Sequence, residues 1–317
     1  MINFRFHLAS LIAIFLALAL GVVVGAGVID RGVVDTLNNR LDSVERTSDR
    51  IKGENKTLSD ENLELSNAIS ALECHALSET LVGEDVGLVA VRGVDEDRVK
   101  KTVAAAQCGG ATVTGVLWVE GKWALANSDD ASAMAQALGS SSKRAATLRT
   151  AAWKQLAERL QAPSVSAEPT PDLLTTLEDA GFVKFQTVAD PSIGSSGSTT
   201  LAQFPRRGAS MLLVVGDHAN VPDKDVVMPA ATAFSAASVP LVVGEVYVGG
   251  QDAPARGSGL APLRDGDLGK KVSTVDDLDR PQGPTTAALV LADLRGVPPT
   301  IGHYGLTTDK LLPDIAQ

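Results

Sequence analysis

Cysteine is almost missing: Cys74 and Cys108 are the two in 317 residues, too few for a disulfide scaffold and without the CxxC spacing of a structural zinc site. Four His and four Met leave little from which to build a transition-metal cage, so no metal ligand is assigned. Aromatics are scarce at 4%, which suits tightly packed helices and α/β layers better than an aromatic-lined barrel or a base-stacking platform. Cations are in the minority, with 28 Lys and Arg against 38 Asp and Glu for a net charge of −10. Without a Lys/Arg-rich stripe, nucleic acid is excluded as a partner, because phosphate recognition rests on clustered cations. HExxH, GxSxG and GxxxxGK[ST] are all absent. No catalytic residue and no cofactor site follow from the sequence, and the chain reads as a non-enzyme.

Apolar residues are plentiful, at 44% with 29 Gly, enough to build a core, and the length suits one large domain or one domain with appendages. From Leu8 to Ile29 the sequence LASLIAIFLALALGVVVGAGVI carries no charge and reaches about 33 Å at about 1.5 Å per residue, enough to cross a bilayer core. The apolar region of a cleaved signal peptide, the alternative reading, runs only about 7 to 15 residues. Arg5 and the α-amino group precede the segment, whereas Asp30 and Arg31 cancel after it, so the positive-inside rule puts residues 1–7 in the cytoplasm. The rest of the chain then lies outside the cytoplasm, held by a single pass through the plasma membrane. Small residues recur along the span, with Ala13, Ala17, Gly21 and Gly25 on one stripe. Gly21 and Gly25 make a GxxxG element that lets two backbones approach, although Ala and Gly are common in such helices.

Residues 30–77 read as a stalk. A 3-4 alternation runs through Val34, Leu37, Leu41, Val44, Ser48, Ile51, Asn55, Leu58, Asn62, Leu65, Ile69 and Leu72, and every d position (Leu37, Val44, Ile51, Leu58, Leu65, Leu72) is apolar. Sustained heptads specify a left-handed coiled coil, since a helix lying on a globular core drifts toward a 3.6 period. The a positions Ser48, Asn55 and Asn62 are polar; buried Asn there fixes register and goes with a parallel dimer, so the first expected partner is a second copy of the chain. Across that dimer Arg40 faces Glu45, while Glu54 and Glu61 face Ser59 and Ser66 without a cation. The seam is modest, and the same stripe suits the coiled coil of another protein. A helix of this length is a rod of about 64 Å.

Residues 78–317 change character: β-branched runs alternate with Ala-rich helical patterns. Strands are expected at Val86 to Val91, Ala111 to Glu120, Met211 to Val215, Pro240 to Gly244 and Lys271 to Val275. Helices are expected at Asp95 to Gln107, Asp129 to Leu138, Arg144 to Gln161, Pro171 to Ala180, Val226 to Ala237 and Pro284 to Leu294. This alternation implies a doubly wound, mainly parallel α/β domain. Pro191 to Thr200 and Gly249 to Gly269 read as mobile surface connections. Asp217, His218 and Glu245 fall at strand ends, where open parallel sheets bind ligands, but nothing nearby supplies a nucleophile, and they read as exposed acidic strand ends. Gly257-Ser-Gly259 lacks the third glycine of a dinucleotide fingerprint.

Topology gives the cysteines a role. Outside the cytoplasm disulfides persist, and a Cys74–Cys108 bond would staple the stalk to the α/β domain. Cys74 with His75 as Cu(I) ligands is the alternative, short of companions.

The opening Phe4-Arg-Phe-His7, the span Phe15 to Gly25, the Leu/Asn-rich stalk and the Cys74/Cys108 pair together resemble the actinobacterial MctB/SteB family. The resemblance implies one of two roles. MctB-type members are called copper transporters, from a proposed envelope copper channel. SteB-type members imply a part in cell separation, with a SteA-like membrane partner and the coiled-coil region of a RipA-type peptidoglycan hydrolase. A channel needs a bundle of spanning helices or a closed barrel, and one span with short buried strands supplies neither.

Overall fold

The computed structural model describes residues 4–28, 31–162, 172–188, 201–205 and 208–314; the side chains of 26–28, 31–34 and 70 lie outside this description. The chain divides into two units, Met1–Ser66 and Asn67–Gln317.

The first unit is helical. Helix α1 covers Phe4–Val28 and contains one stretch, Phe4–Gly25, long and apolar enough to cross a membrane. None of it is buried by protein. Ala13, Ala17, Gly21 and Gly25 are all exposed on it. Helix α2 covers Arg31–Ala76, 46 residues. It persists because Leu, Arg, Glu and Lys are good helix formers and Pro is absent from it. Gly53 faces open space where a side chain would stand and costs the helix only backbone entropy.

The second unit takes in the end of α2 and then alternates strand and helix. In order come β1 (Val86–Val91), α3 (Glu96–Cys108), β2 (Gly115–Val119), α4 (Ser128–Ala137), α5 (Ala145–Gln161), α6 (Leu173–Asp179) and β3 (Val183–Thr187). They are followed by β4 (Ser210–Gly216), α7 (Val227–Ala236), β5 (Leu241–Val246), α8 (Ala261–Arg264), β6 (Ser273–Val275), α9 (Gly283–Asp293) and β7 (His303–Tyr304). Short polar residues start the helices: Asp95 Oδ1 accepts from Asp97 N–H at 2.9 Å, and Asn127 Oδ1 from Asp130 N–H at 2.8 Å, each satisfying a donor with no partner within its helix.

The seven strands form one sheet in the order β3-β2-β1-β4-β5-β6-β7. All neighbours are parallel except β2 and β3, which run antiparallel with Leu117 opposite Phe185. Every residue of β1, β4 and β5 is buried, so both faces of the sheet are covered. Helix α3 packs along α9, and α5 along α7. Trp123, Trp153 and Phe234 form an aromatic cluster, with ring centroids 5.2 and 5.8 Å apart.

The mainly parallel α/β reading therefore holds, with two additions and two adjustments. Strand β3 escapes the pattern because Val-Lys-Phe-Gln-Thr mixes buried and exposed positions at a sheet edge, and β7 is only two residues long. The expected strand from Ala111 starts only at Gly115, since Ala111 to Thr114 lead into the sheet with a single bridge at Thr112. The stretch expected to be a mobile connection at Gly249 to Gly269 instead contains α8 and a 3₁₀ turn at Asp267–Lys270 and is pinned to the sheet. The other expected connection, Pro191 to Thr200, lies outside the described residues.

Candidate functional site

Three regions could carry function. The first is the apolar stripe of α2. Leu37, Leu41, Val44, Ile51, Leu58, Leu65 and Leu72 are between 46% and 65% exposed. Of the remaining heptad positions, Asn55 and Asn62 are exposed and Ser48 and Ile69 half-buried, while the Val34 side chain is not among those described. Asn62 Nδ2 donates to the Leu58 carbonyl at 2.8 Å. Charges flank the stripe in helical pairs such as Arg50 with Glu54, 2.7 Å apart; fully exposed pairs of this kind add little stability. Leaving an aliphatic side chain in water forgoes about 1.5–3 kcal/mol, so an unbroken stripe of them is a surface built for contact.

The second is where the end of α2 meets the sheet domain. Cys74 and Cys108 are joined in a disulfide, with Cα atoms 4.6 Å apart and a sequence separation of 34, so the copper-thiolate alternative is closed. The Thr285 hydroxyl donates to Glu73 Oε1 at 2.8 Å; burial raises the Glu73 pKa, with Thr285 and then Lys101 opposing it. Just beyond, Leu77 and Leu81 are fully buried, and Leu81 N–H donates to the Gly109 carbonyl at 2.7 Å.

The third is the carboxyl edge of the sheet. Between β1 and β4, where an open sheet of this order would seat a dinucleotide, the chain fills its own crevice. Asn220 N–H donates to the Arg92 carbonyl at 2.7 Å. Gly93, at φ +103°, sits so close to the His218 carbonyl that any side chain would collide with it. Asp217 is half-buried and His218 exposed, but Glu245 is 3% exposed, which corrects its reading as an exposed strand-end acid. Burial comes first in lifting the Glu245 pKa to about 7 and that of Asp223 to about 6. Asp277, fully buried at the end of β6, is raised to about 6, again chiefly by burial. Arg256 makes a two-pronged pair with Asp279 at 2.6 and 2.8 Å, and Arg264 Nη2 donates to Asp276 Oδ2 at 3.0 Å. The Glu245 and Asp223 pair escaped sequence reasoning; the one signal was an acid inside the otherwise apolar strand Leu-Val-Val-Gly-Glu-Val. Elsewhere, a shallow groove of about 450 Å³ between α5 and α7 is lined by Thr150, Lys154, Ala157, Glu158, Thr232 and Ala236, with no nucleophile paired to a base.

Comparison with known proteins sets these features in a family. The family model described as "Copper transport outer membrane protein, MctB" matches residues 1–313. The chain belongs to the MctB family. Proteins named "Copper transporter MctB" from Mycobacterium bovis and from two strains of Mycobacterium tuberculosis are 26% identical to it over 332 aligned positions, covering all of both chains. Among the described residues no group of three or more His, Cys, Asp and Glu side chains is arranged to hold a metal, and both cysteines are spent in the disulfide.

Proposed function

We propose that this chain is a single-pass, membrane-anchored envelope scaffold whose stalk pairs with a second copy as a parallel coiled coil and regulates cell separation. In this reading α1 crosses the plasma membrane with the N-terminus in the cytoplasm, and the α/β domain stands outside it. A SteA-like membrane protein joins the assembly, and the coiled-coil region of a RipA-type peptidoglycan hydrolase is the client. The chain performs no chemistry of its own. The observation that carries the reading is the exposed aliphatic stripe from Leu37 to Leu72, interrupted by polar Ser48, Asn55 and Asn62, which weaken a homotypic seam enough for exchange with another helix.

The test replaces Asn55 and Asn62 together by Leu. A stronger self-paired seam with less hydrolase captured from membranes, and chains of unseparated cells, is expected. Unchanged capture and unchanged separation would remove the polar seam from the mechanism.

Copper handling is the second reading, favoured by the names of the mycobacterial relatives. Copper would then be cargo, met by donors from more than one chain. Deletion strains separate the two: copper sensitivity with normal separation favours the second, and separation defects at ordinary copper sensitivity favour the first.

A further inference from the structure

The segment after β5, residues 248–260, doubles back over the carboxyl ends of β4 and β5 and rests on carboxylates at both ends. At its start Asp217 accepts from the Val248 and Gly249 N–H groups at 3.0 and 2.7 Å, and His218 Nε2 lies 3.5 Å from the Gly249 carbonyl. In the middle Arg256 is anchored by Asp279, by the Asp276 carbonyl at 2.7 Å and by the Tyr247 ring at 4.6 Å. Toward its end Glu245 Oε2 accepts from Gly257 N–H at 2.6 Å. Gly259 lies against Asp223, so close that a Cβ there would run into the carboxylate.

These two seats are chemically uncomfortable. Glu245 is almost wholly enclosed, and Asp223 Oδ1 is buried with no hydrogen-bond partner. Glu245 feels Asp223 from the turn after β4 and Asp276 from the end of β6, both of which disfavour its charge, while Gly257 N–H and Arg256 favour it. Asp223 in turn feels Asp217. Two cations face the cluster and both are taken: the fork of Arg256 by Asp279, and Arg264 by Asp276. Several negative charges gathered in one dry site repel strongly. Ionised, Glu245 accepts more strongly from Gly257, but burial is the largest influence on it and outweighs that gain; protonated, Glu245 and Asp223 sit there at less cost, and Glu245 keeps an oxygen to accept from Gly257.

We propose that residues 248–260 are a proton-operated latch, closed over the strand ends while Glu245 and Asp223 are protonated and released from the Gly257–Gly259 end when both ionise. Arg256 and its Asp279 partner serve as the fixed point about which the Gly-Ser-Gly turn lifts, admitting water to the two carboxylates. The sign follows from which state holds the proton. Both acids bind protons more tightly in the closed form, so closure is favoured in acid and lost as pH rises through about 6 to 7, the values of the closed pair. The surface that the sheet domain offers at its carboxyl edge thereby depends on the acidity around it. This inference stands apart from the scaffold reading and does not need it.

Amide hydrogen exchange on the full chain in detergent, corrected for the intrinsic pH dependence of exchange, tests the latch. The peptide containing Gly257 should lose at least tenfold in protection between pH 5 and pH 8, while peptides from β4 and α5 stay unchanged. Glu245→Gln keeps an acceptor for Gly257 but cannot ionise, and should hold the acid-state protection across the range. Asp223→Asn removes one repelling charge and one of the two ionising groups, so Glu245 ionises at lower pH in the closed form; the Gly257 peptide should lose less protection, with the midpoint of the loss at lower pH. Protection of the Gly257 peptide that is independent of pH in the parent would overturn the proposal, as would an identical pH profile in both variants. If Glu245→Gln fails to fold, the midpoint of Asp223→Asn decides alone.

Discussion

Replacing Cys74 and Cys108 together by Ala tests how the end of α2 is held to α3. The bond spans a sequence separation of 34. Closing a loop of that size removes about 12 to 13 cal/mol/K from the unfolded ensemble in the chain-entropy treatment, or about 3.8 kcal/mol at 25 °C. Little in the folded state offsets the loss, because Leu77 and Leu81 stay buried and the Glu73–Thr285 hydrogen bond stays available. For a domain of this size each kcal/mol moves the melting temperature by about 2–4 °C, so a fall of roughly 8–15 °C is expected. Urea titration of the double variant beside the parent, both in detergent, should show a lower midpoint at nearly equal slope. Thiol titration of denatured, unreduced parent should find no free thiol. A double variant within about 0.5 kcal/mol of the parent would refute the reasoning and leave the apolar contacts and the Glu73 bond as the whole attachment.

Two further outcomes follow from the same physics. Leu58→Asp with Leu65→Asp places charge in the centre of the proposed seam and forgoes about 2 kcal/mol of burial per Leu; chemical crosslinking should then recover monomer where the parent gives dimer, and undiminished dimer would locate the pairing elsewhere. Asp277 is fully buried with one oxygen lacking a partner and a pKa of about 6. Because that value is raised, its contribution is full below the ordinary carboxylate range and is lost as pH rises through about 6, on the order of 3 kcal/mol at the limit. The melting temperature of the parent should accordingly climb from pH 8 to pH 5, and Asp277→Asn should flatten that slope.

The strongest sequence signals were those whose physics is periodic. The uncharged run in α1 and the alternation of β-branched strands with Ala-rich helices announced the long apolar helix and the mostly parallel sheet, because each pattern repeats over many residues. Elements with a single-residue cause were hidden. Strand β3 alternates, but over only Val183 and Phe185 as apolar positions, too short a run to stand out beside the continuous apolar strands, and β7 is too short to have a pattern. The seat of 248–260 was the least visible, since Gly, Asp and Pro in that stretch have the composition of a free loop. What pins it is a set of long-range bonds, Asp217 to Val248 and Gly249, Glu245 to Gly257, and Arg256 to Asp279, that join residues from different strand ends and leave no local signature. Cysteine was the exception among long-range pairs, because with two in the chain only one pairing exists.

The two units spend their apolar surface in opposite ways, and this supports the scaffold role proposed above. In the sheet domain the β1/β4 crevice is occupied by the turn that carries Asn220, and the acids at the strand ends lie under the chain's own backbone, so a ligand would first have to displace protein. In α2 the reverse holds: Leu37, Leu41, Val44, Ile51 and Leu58 stand exposed along a helix that carries exposed charge pairs such as Arg46 with Asp42 and Arg50 with Glu54. Those five are 46–65% exposed, so complete cover would be worth roughly 4–9 kcal/mol per chain at about 1.5–3 kcal/mol for a fully exposed side chain, an upper bound from area transfer. In a pair both helices contribute such a gain, set against the cost of association, and the polar residues at Ser48, Asn55 and Asn62 subtract from it in the stretch where a partner helix would have to compete. Among the described residues after α1, the long exposed apolar stripe therefore lies on α2, where the proposed pairing would draw on it.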